Sequence, residues 1–230
     1  MKLVLFDIDG TLLRSDGVGR RAVTRALLDV FGSSGPADYW FDGKTDPQIV
    51  RELMRLDGHD DARIDSDMWK LLDRYVAYLH EELGAPGFRA SPLPGVPDLL
   101  DALEQRDDVI IGLLTGNIEP GARAKLEAVG LDPARFRVGA FGSDHEHRPE
   151  LPAIAQRRTR DALGVHVEGP AMIVIGDTPA DVTCGKALGA RAIGVATGRY
   201  TVEELLEHRP VAAFPDLSRT ADVLEVILGR

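Results

Sequence analysis

Asp7 and Asp9 stand one residue apart in the segment Phe6-Asp7-Ile8-Asp9-Gly10-Thr11-Leu12, directly after the apolar run Leu3-Val4-Leu5-Phe6. A run of this kind reads as a buried strand, and alternate side chains of an extended segment point the same way. The two carboxylates therefore converge at the C-terminal end of the strand, where Gly10 lets the chain turn, and open parallel sheets place their ligands at that edge. A second acidic pair, Asp177 and Asp181, follows Met172-Ile173-Val174-Ile175 in the segment Gly176-Asp177-Thr178-Pro179-Ala180-Asp181. Between the two pairs, Ile110-Ile111-Gly112-Leu113-Leu114 runs into Thr115-Gly116-Asn117. A hydroxyl, a flexible glycine and an amide suit the oxygens of a phosphate. Unit charges about 4 Å apart repel by about 4 kcal/mol at an effective dielectric of about 20, so four acids gathered at one edge require a cation. Oxygen ligands from Asp7, Asp177 and a backbone carbonyl, with no clustered His or Cys, suit Mg²⁺, which keeps waters and a substrate phosphate in an octahedral shell.

Taken together, the three segments resemble the haloacid dehalogenase superfamily: the first as Asp-x-Asp-Gly-Thr, the second as a hydrophobic-Thr-Gly-Asn motif, the third as Gly-Asp-x-x-x-Asp. Three motifs in order, each at the end of a strand, are far more specific than any one alone. The resemblance implies that Asp7 is a nucleophile forming an aspartyl-phosphate. It implies that Asp9 protonates the leaving oxygen, later activates water, and lends its main-chain carbonyl to the metal. Thr115 and the N–H groups around Gly116 would hold the phosphoryl oxygens, and Asn117 would orient either phosphate or Asp9. Asp177 would bind the metal, and Asp181 would fix a metal-bound water or a cationic residue, with Thr11 of the first motif in support. Dehalogenases and phosphonate-cleaving members lack an acid at the position of Asp9, so phosphoryl transfer is the reaction implied here. Singly, each acid also reads as a helix cap or loop carboxylate and Thr115 as a turn hydroxyl.

One departure from the pattern stands out: the family usually carries a lysine before the third helix of this half, yet no lysine occurs between Lys125 and Lys186. Arg148, followed by Pro149, occupies the expected place and could neutralise Asp7 and phosphate with a bidentate fork; the alternative is a solvated arginine in the charged stretch Asp144-His145-Glu146-His147-Arg148. Should Arg148 not serve, Arg157, Arg158 or Lys125 come next.

The elements that must position these residues follow from periodicity. From Gly17 to about Gly84 the apolar spacing is helical, as in Val18, Ala22, Val23, Ala26, Leu27 and Val30, and predicts at least three helices joined by Gly/Ser/Pro/Asp turns. Strand and helix alternate again from Val96, with strands at 109–114, 138–141, 171–175, 191–195 and 211–214. The expected architecture is an α/β, Rossmann-like, doubly wound parallel sheet over residues 1–15 and 91–230, with an inserted α-helical cap over 16–90. Specificity is expected from the cap segment Phe41-Asp42-Gly43-Lys44-Thr45-Asp46, where Lys44 could meet an anionic tail and Thr45 a hydroxyl, although a helix N-terminus at Thr45 or Asp46 explains the same letters. Arg20 and Arg21 near the cap entrance are further candidates.

A net charge of -10 in 230 residues argues against a nucleic-acid backbone or anionic membrane as partner. The lone cysteine, Cys184, excludes an intrachain disulfide and thiolate-rich metal sites. With no apolar stretch suited to a signal peptide or membrane span, the expectation is a cytoplasmic monomer or homodimer acting on a small phosphorylated substrate. A Mg²⁺-dependent phosphatase for a small phosphorylated metabolite, resembling the phosphoglycolate-phosphatase-like branch, leads. A phosphosugar mutase of the β-phosphoglucomutase type would use the same two aspartates, and a non-catalytic binding protein on this fold is the reading from a different class.

Overall fold

The computed structural model describes residues 1–229. Strand β1 (Lys2–Phe6) leads through a short strand β2 (Leu13–Arg14) into three helices, α1 (Val18–Phe31), α2 (Asp46–Leu56) and α3 (Asp61–Leu83). The chain returns through β3 (Ser91–Pro92), which pairs antiparallel with β2, so the two connections leave and re-enter the sheet layer as a ribbon. There follow α4 (Val96–Glu104), β4 (Val109–Leu114), α5 (Glu119–Ala128), β5 (Val138–Ala140), α6 (Leu151–Leu163), β6 (Met172–Gly176), α7 (Pro179–Cys184), β7 (Arg191–Val195), α8 (Val202–Glu207), β8 (Ala212–Phe214) and α9 (Thr220–Leu228).

The main sheet has six strands in the order β5-β4-β1-β6-β7-β8, all parallel. From β1 the chain builds outward through β4 and β5, then crosses back to add β6, β7 and β8 on the other side of β1. The winding therefore reverses between β1 and β6, the place where doubly wound sheets open a crevice for ligand. Asp7 follows β1 and Asp177 follows β6, one on each side of that reversal.

Alternation of side chains splits the core in two. Val4, Phe6, Ile111, Leu113, Ile173 and Ile175 pack with α4, α5 and α9 on one face; Leu3, Leu5, Ile110, Leu114, Met172 and Val174 pack with α6 and Cys184 on the other. Burial on both faces is what makes these strands continuous apolar runs. The three cap helices close their own apolar cluster, in which Val18, Ala22, Leu27, Val50, Leu53, Leu71 and Tyr75 meet Ile118 and Ala124 of the sheet layer. The cap is thus seated on α5 by shared apolar contact.

The structure differs from the expected elements in three places. The helix that the alternation calls for after β6 is short: α7 stops at Cys184 and the chain continues as a 3-10 turn over Lys186–Leu188. The return from the inserted helices at the expected boundary near residue 91 is partly the ribbon strand β3. Helix α8 was not anticipated, because its few turns carry only one buried residue, Leu205, and no apolar period. Among the described residues no helix is long and apolar enough to cross a membrane.

Candidate active site

Asp7 is buried and its main-chain N–H donates to the carbonyl of Ile175 at 2.9 Å, which continues the β1–β6 pairing one residue past the strand. Its Oδ1 accepts from Arg148 Nη2 at 2.9 Å. The same nitrogen donates to the carboxylate of Asp181 and reaches the carbonyl of Leu114 at 3.4 Å. Arg148 does not form the two-pronged fork expected from its chemistry: Nη2 serves both carboxylates, and Nε is buried and meets no hydrogen-bond partner among the described residues. The arginine is 5% exposed, so it is held inside the site, and its short 3-10 turn, Arg148–Glu150 ahead of α6, delivers it there. The neighbouring His145 and His147 are exposed.

Asp181 is both cap and partner. Its Oδ2 accepts the Thr178 N–H at 3.0 Å and the Thr178 hydroxyl at 2.6 Å, while its own N–H donates to Thr178 Oγ1 at 3.3 Å, forming a reciprocal box that opens α7. That leaves Oδ1 to face Arg148. Asp177 lies on the turn between β6 and α7, where Thr11 Oγ1 donates to its Oδ1 at 3.3 Å. Gly10 and Gly198 press against its carboxylate so closely that a Cβ on either would overlap it.

Oxygens of Asp7, Asp177 and Asp181 come within 4.8 Å of one another. Three buried carboxylates against the single guanidinium of Arg148 leave a negative excess. Burial, opposed by Arg148 and reinforced by Asp181, pushes Asp7 up to about 7, and burial with the charges of Asp181 and Asp7 drives Asp177 well above the usual carboxylate range. An all-oxygen donor set with that excess, cradled by glycines, fits a hard divalent cation such as Mg²⁺.

Asp9 faces elsewhere. Burial opposes its charge, yet Lys125, with hydrogen bonds from Lys125, Asn117 and Ser15, holds its carboxyl below the ordinary value. Lys125 Nζ lies 2.5 Å from Asp9 Oδ2 and 2.6 Å from Asn117 Oδ1; Asn117 Nδ2 donates to Asp9 Oδ2 and to Thr115 Oγ1, each at 2.9 Å; Ser15 Oγ donates to Asp9 Oδ1 at 2.9 Å. With its carboxylate so engaged, the group that Asp9 has left for a metal is its main-chain oxygen. Thr115 is fully buried, and its N–H donates to Ala140 at 3.0 Å.

The cap closes over this arrangement. The Asp46 N–H donates to the Gly116 carbonyl and its Oδ2 accepts from the Ile118 N–H, both at 2.8 Å, and a Cβ on Gly116 would strike the carbonyl of Lys44. Thr45 does not reach the cavity. Its hydroxyl accepts from Gln48 N at 3.2 Å, as the cap of α2, and donates to the Glu146 carbonyl at 2.6 Å, so a residue expected to meet substrate is committed to the seam between cap and sheet layer. Arg51 reinforces the seam with 2.8 Å contacts to both Glu146 carboxylate oxygens. Lys44 does line the cavity, but its Nζ is tied to Glu52 at 2.7 Å and to the Tyr39 hydroxyl. Arg20 also lines it, with Nη2 donating to the Tyr39 carbonyl at 2.8 Å and its guanidinium 3.8 Å from the Phe41 ring.

The cavity measures about 260 Å³, opens to solvent, and is walled by Asp7, Asp9, Gly116, Asn117, Arg148 and Asp177 below and by cap residues above. Asp181, Thr115 and Lys44 also contribute, whereas Thr11 and Thr45 lie behind the wall. Sequence reasoning did not single out Tyr75 and Ser15, named Asp46 only as part of the cap segment and a helix start, and ranked Lys125 only as a substitute for Arg148. A signal for Lys125 was available: it falls on the buried face of α5 among Gly121, Ala122, Ala124 and Leu126, and a lysine on such a face needs a partner.

Residues 4–186 match the family model described as haloacid dehalogenase-like hydrolase. The chain is 31% identical to a phosphoglycolate phosphatase of Rhodospirillum rubrum, covering 97% of this chain and 90% of that protein. It is 27% identical to a 5'-nucleotidase of Pseudomonas aeruginosa, covering 96% and 95% respectively. Among solved structures, a hydrolase from Pseudomonas syringae superposes with a TM-score of 0.74 at 21% identity, over 99% of each chain.

Proposed function

Because the chain belongs to the haloacid dehalogenase-like hydrolase family, we propose that it is a Mg²⁺-dependent phosphatase that hydrolyses a small phosphorylated metabolite through an aspartyl-phosphate on Asp7. The observation that carries this reading is the division of labour between two aspartates one residue apart: Asp7 is held by Arg148 within the acidic cluster, and Asp9 is held apart from it by Lys125 and Asn117. A nucleophile and a proton carrier are needed in two different places, and the fold supplies both from one strand end.

In the first half, an Asp7 oxygen bonds to phosphorus as the ester oxygen departs and takes a proton from Asp9. In the second, water bonds to phosphorus, its proton passes to Asp9, and the bond to Asp7 breaks to release inorganic phosphate. Asp9 is a carboxylate in the free enzyme, so the proton it gives in the first half is taken up from solvent with the substrate and returned to solvent as phosphate leaves; the negative phosphoryl group arriving beside it favours that uptake. Thr115 and the main chain at Gly116 face the transferring oxygens, and Arg148 offsets the repulsion between Asp7 and a phosphate dianion. Mg²⁺, held by Asp7, Asp177 and the Asp9 main-chain oxygen, would supply charge neutralisation and polarise the phosphoryl group.

A cavity of about 260 Å³ falls below the range of about 300–1,000 Å³ typical of sites for drug-sized ligands, which favours a substrate with few atoms beyond its phosphate. The names of the R. rubrum and P. aeruginosa relatives both denote release of phosphate from a monoester. The test is a panel of small phosphorylated metabolites with Mg²⁺, read as inorganic phosphate, run on wild type and Asp7→Asn. The variant should keep the fold and lose turnover; beryllium trifluoride should be trapped on Asp7. Full activity in purified Asp7→Asn would remove the mechanism, and conversion of a hexose 1-phosphate to its isomer without phosphate release would replace the phosphatase by a mutase.

A further inference from the structure

Lys125 occupies a place that its helix does not explain. The buried face of α5 around it is made of Gly121, Ala122, Ala124 and Leu126, and Lys125 itself is 4% exposed. Burying an ammonium is costly unless it is paired and hydrogen-bonded. Here it contacts two side chains, Asp9 Oδ2 at 2.5 Å and Asn117 Oδ1 at 2.6 Å. Asn117 closes the triangle by donating to the same Asp9 oxygen at 2.9 Å, and Ser15 holds the other oxygen at 2.9 Å. Both ends of the carboxylate are therefore fixed, and the donor at its centre is the lysine.

The cap makes room for this lysine. A Cβ at Gly19, inside α1, would sit 3.2 Å from Lys125 Nζ, 3.7 Å from its Cε and 3.8 Å from the Tyr75 hydroxyl. Gly19, the second residue of α1, leaves open the space that Nζ needs. Asp9 follows Asp7 with one residue between them, yet Lys125, Asn117 and Ser15 hold its carboxylate outside the cluster of Asp7, Asp177 and Asp181.

Resting on the phosphatase reading, we propose that Lys125 is a positioning residue for the second half of the reaction, holding Asp9 as an oriented carboxylate outside the metal cluster so that it can take the proton of the attacking water. The step is the one that frees the enzyme: the water oxygen bonds to phosphorus, one water proton goes to Asp9, the bond between phosphorus and the Asp7 oxygen breaks, and phosphate leaves with Asp7 regenerated. An aryl ester with a good leaving group needs no proton in the first half, so the two halves can be read separately.

The experiment is a single turnover of p-nitrophenyl phosphate with excess enzyme and Mg²⁺, following p-nitrophenolate and inorganic phosphate in the same mixture. In wild type the two products appear from successive steps. In Lys125→Met, p-nitrophenolate should appear within about threefold of the wild-type rate, whereas phosphate should lag about thirtyfold or more, within the usual contribution of a general base, with acid-stable trapping of phosphate on the protein in the interval. Gly19→Ala, which crowds Nζ, should show the same split at about threefold, and it decides the matter if Lys125→Met does not fold. Equal slowing of both products, or no slowing of either, overturns the role of Lys125 and leaves the phosphatase intact. Absence of any turnover that depends on Asp7 in wild type would instead overturn the phosphatase reading and this proposal with it.

Discussion

Arg148 is the residue on which the charge balance of the site turns. One of its nitrogens faces Asp7 and Asp181 together, so removing it would expose Asp7, the proposed nucleophile, to two like charges and leave an incoming phosphate dianion opposed by the cluster. Arg148→Ala should lower kcat by about two to three orders of magnitude, comparable to the loss of an oxyanion donor. Arg148→Lys should recover part of it, because an ammonium restores the charge without the rigid planar head. Steady-state kinetics on one ester decide this, and an alanine variant with wild-type kcat would remove Arg148 from the mechanism. At the same scale, Cys184 is 4% exposed and burial pushes its thiol up to about 12; it packs under the sheet as a small apolar residue.

At the scale of elements, the N-terminus of α2 joins the cap to the Thr115-Gly116-Asn117 loop. Asp46 sits there under partial burial, which raises its carboxyl from 3.8 to about 6 against the pull of Lys125 and the Ile118 N–H. A raised carboxyl binds its proton more tightly in the folded state than in the unfolded chain, so its contribution to stability is favourable at pH 4 and is lost as pH rises towards 6. Asn at this position can still accept the Ile118 N–H and carries no charge. Asp46→Asn should therefore be more stable than wild type at pH 8, by about 1 kcal/mol after allowance for the partial exposure, with the advantage vanishing near pH 4. Urea unfolding at the two pH values checks the sign; an advantage that grew on acidification would contradict it. The same seam explains why Gly116 carries no side chain, since the Lys44 carbonyl lies where its Cβ would be.

For the molecule as a whole, the acidic cluster is a cost that a cation relieves. Asp7, Asp177 and Asp181 are all buried and answered by one arginine, so Mg²⁺ should bind the folded state and raise its stability by mass action, about 2.7 kcal/mol at a hundredfold excess over Kd. For a chain of this size that is a rise in Tm of about 5–10 °C. Thermal scans in Mg²⁺ and in EDTA measure it, and Asp177→Asn should lose most of the difference. An equal rise in the variant would place the ion elsewhere. The reversal of strand order between β1 and β6 is what brings these acids together from positions more than a hundred residues apart.

Local pattern alone carried the motifs, the alternation of strand and helix and the helical insertion, because apolar runs ending in Asp7-x-Asp9, Thr115-Gly116-Asn117 and Asp177-x-x-x-Asp181 are properties of short stretches of chain. Arg148 needed the family resemblance as well, which implies a cation in an interval where this chain has no lysine. Side-chain partnership across the seam was out of its reach. Lys44 reads as a free cation until Glu52 and Tyr39 are seen to hold it, Thr45 reads equally as a substrate contact or a helix cap until its hydroxyl is found on Gln48 and Glu146, and Lys125 reads as a substitute for Arg148 until Asp9, 116 residues away in the chain, meets its Nζ. These pairings depend on how the cap seats on α5 and on the space left by Gly19, and a periodicity confined to one helix contains neither the neighbouring helix nor the distance to it.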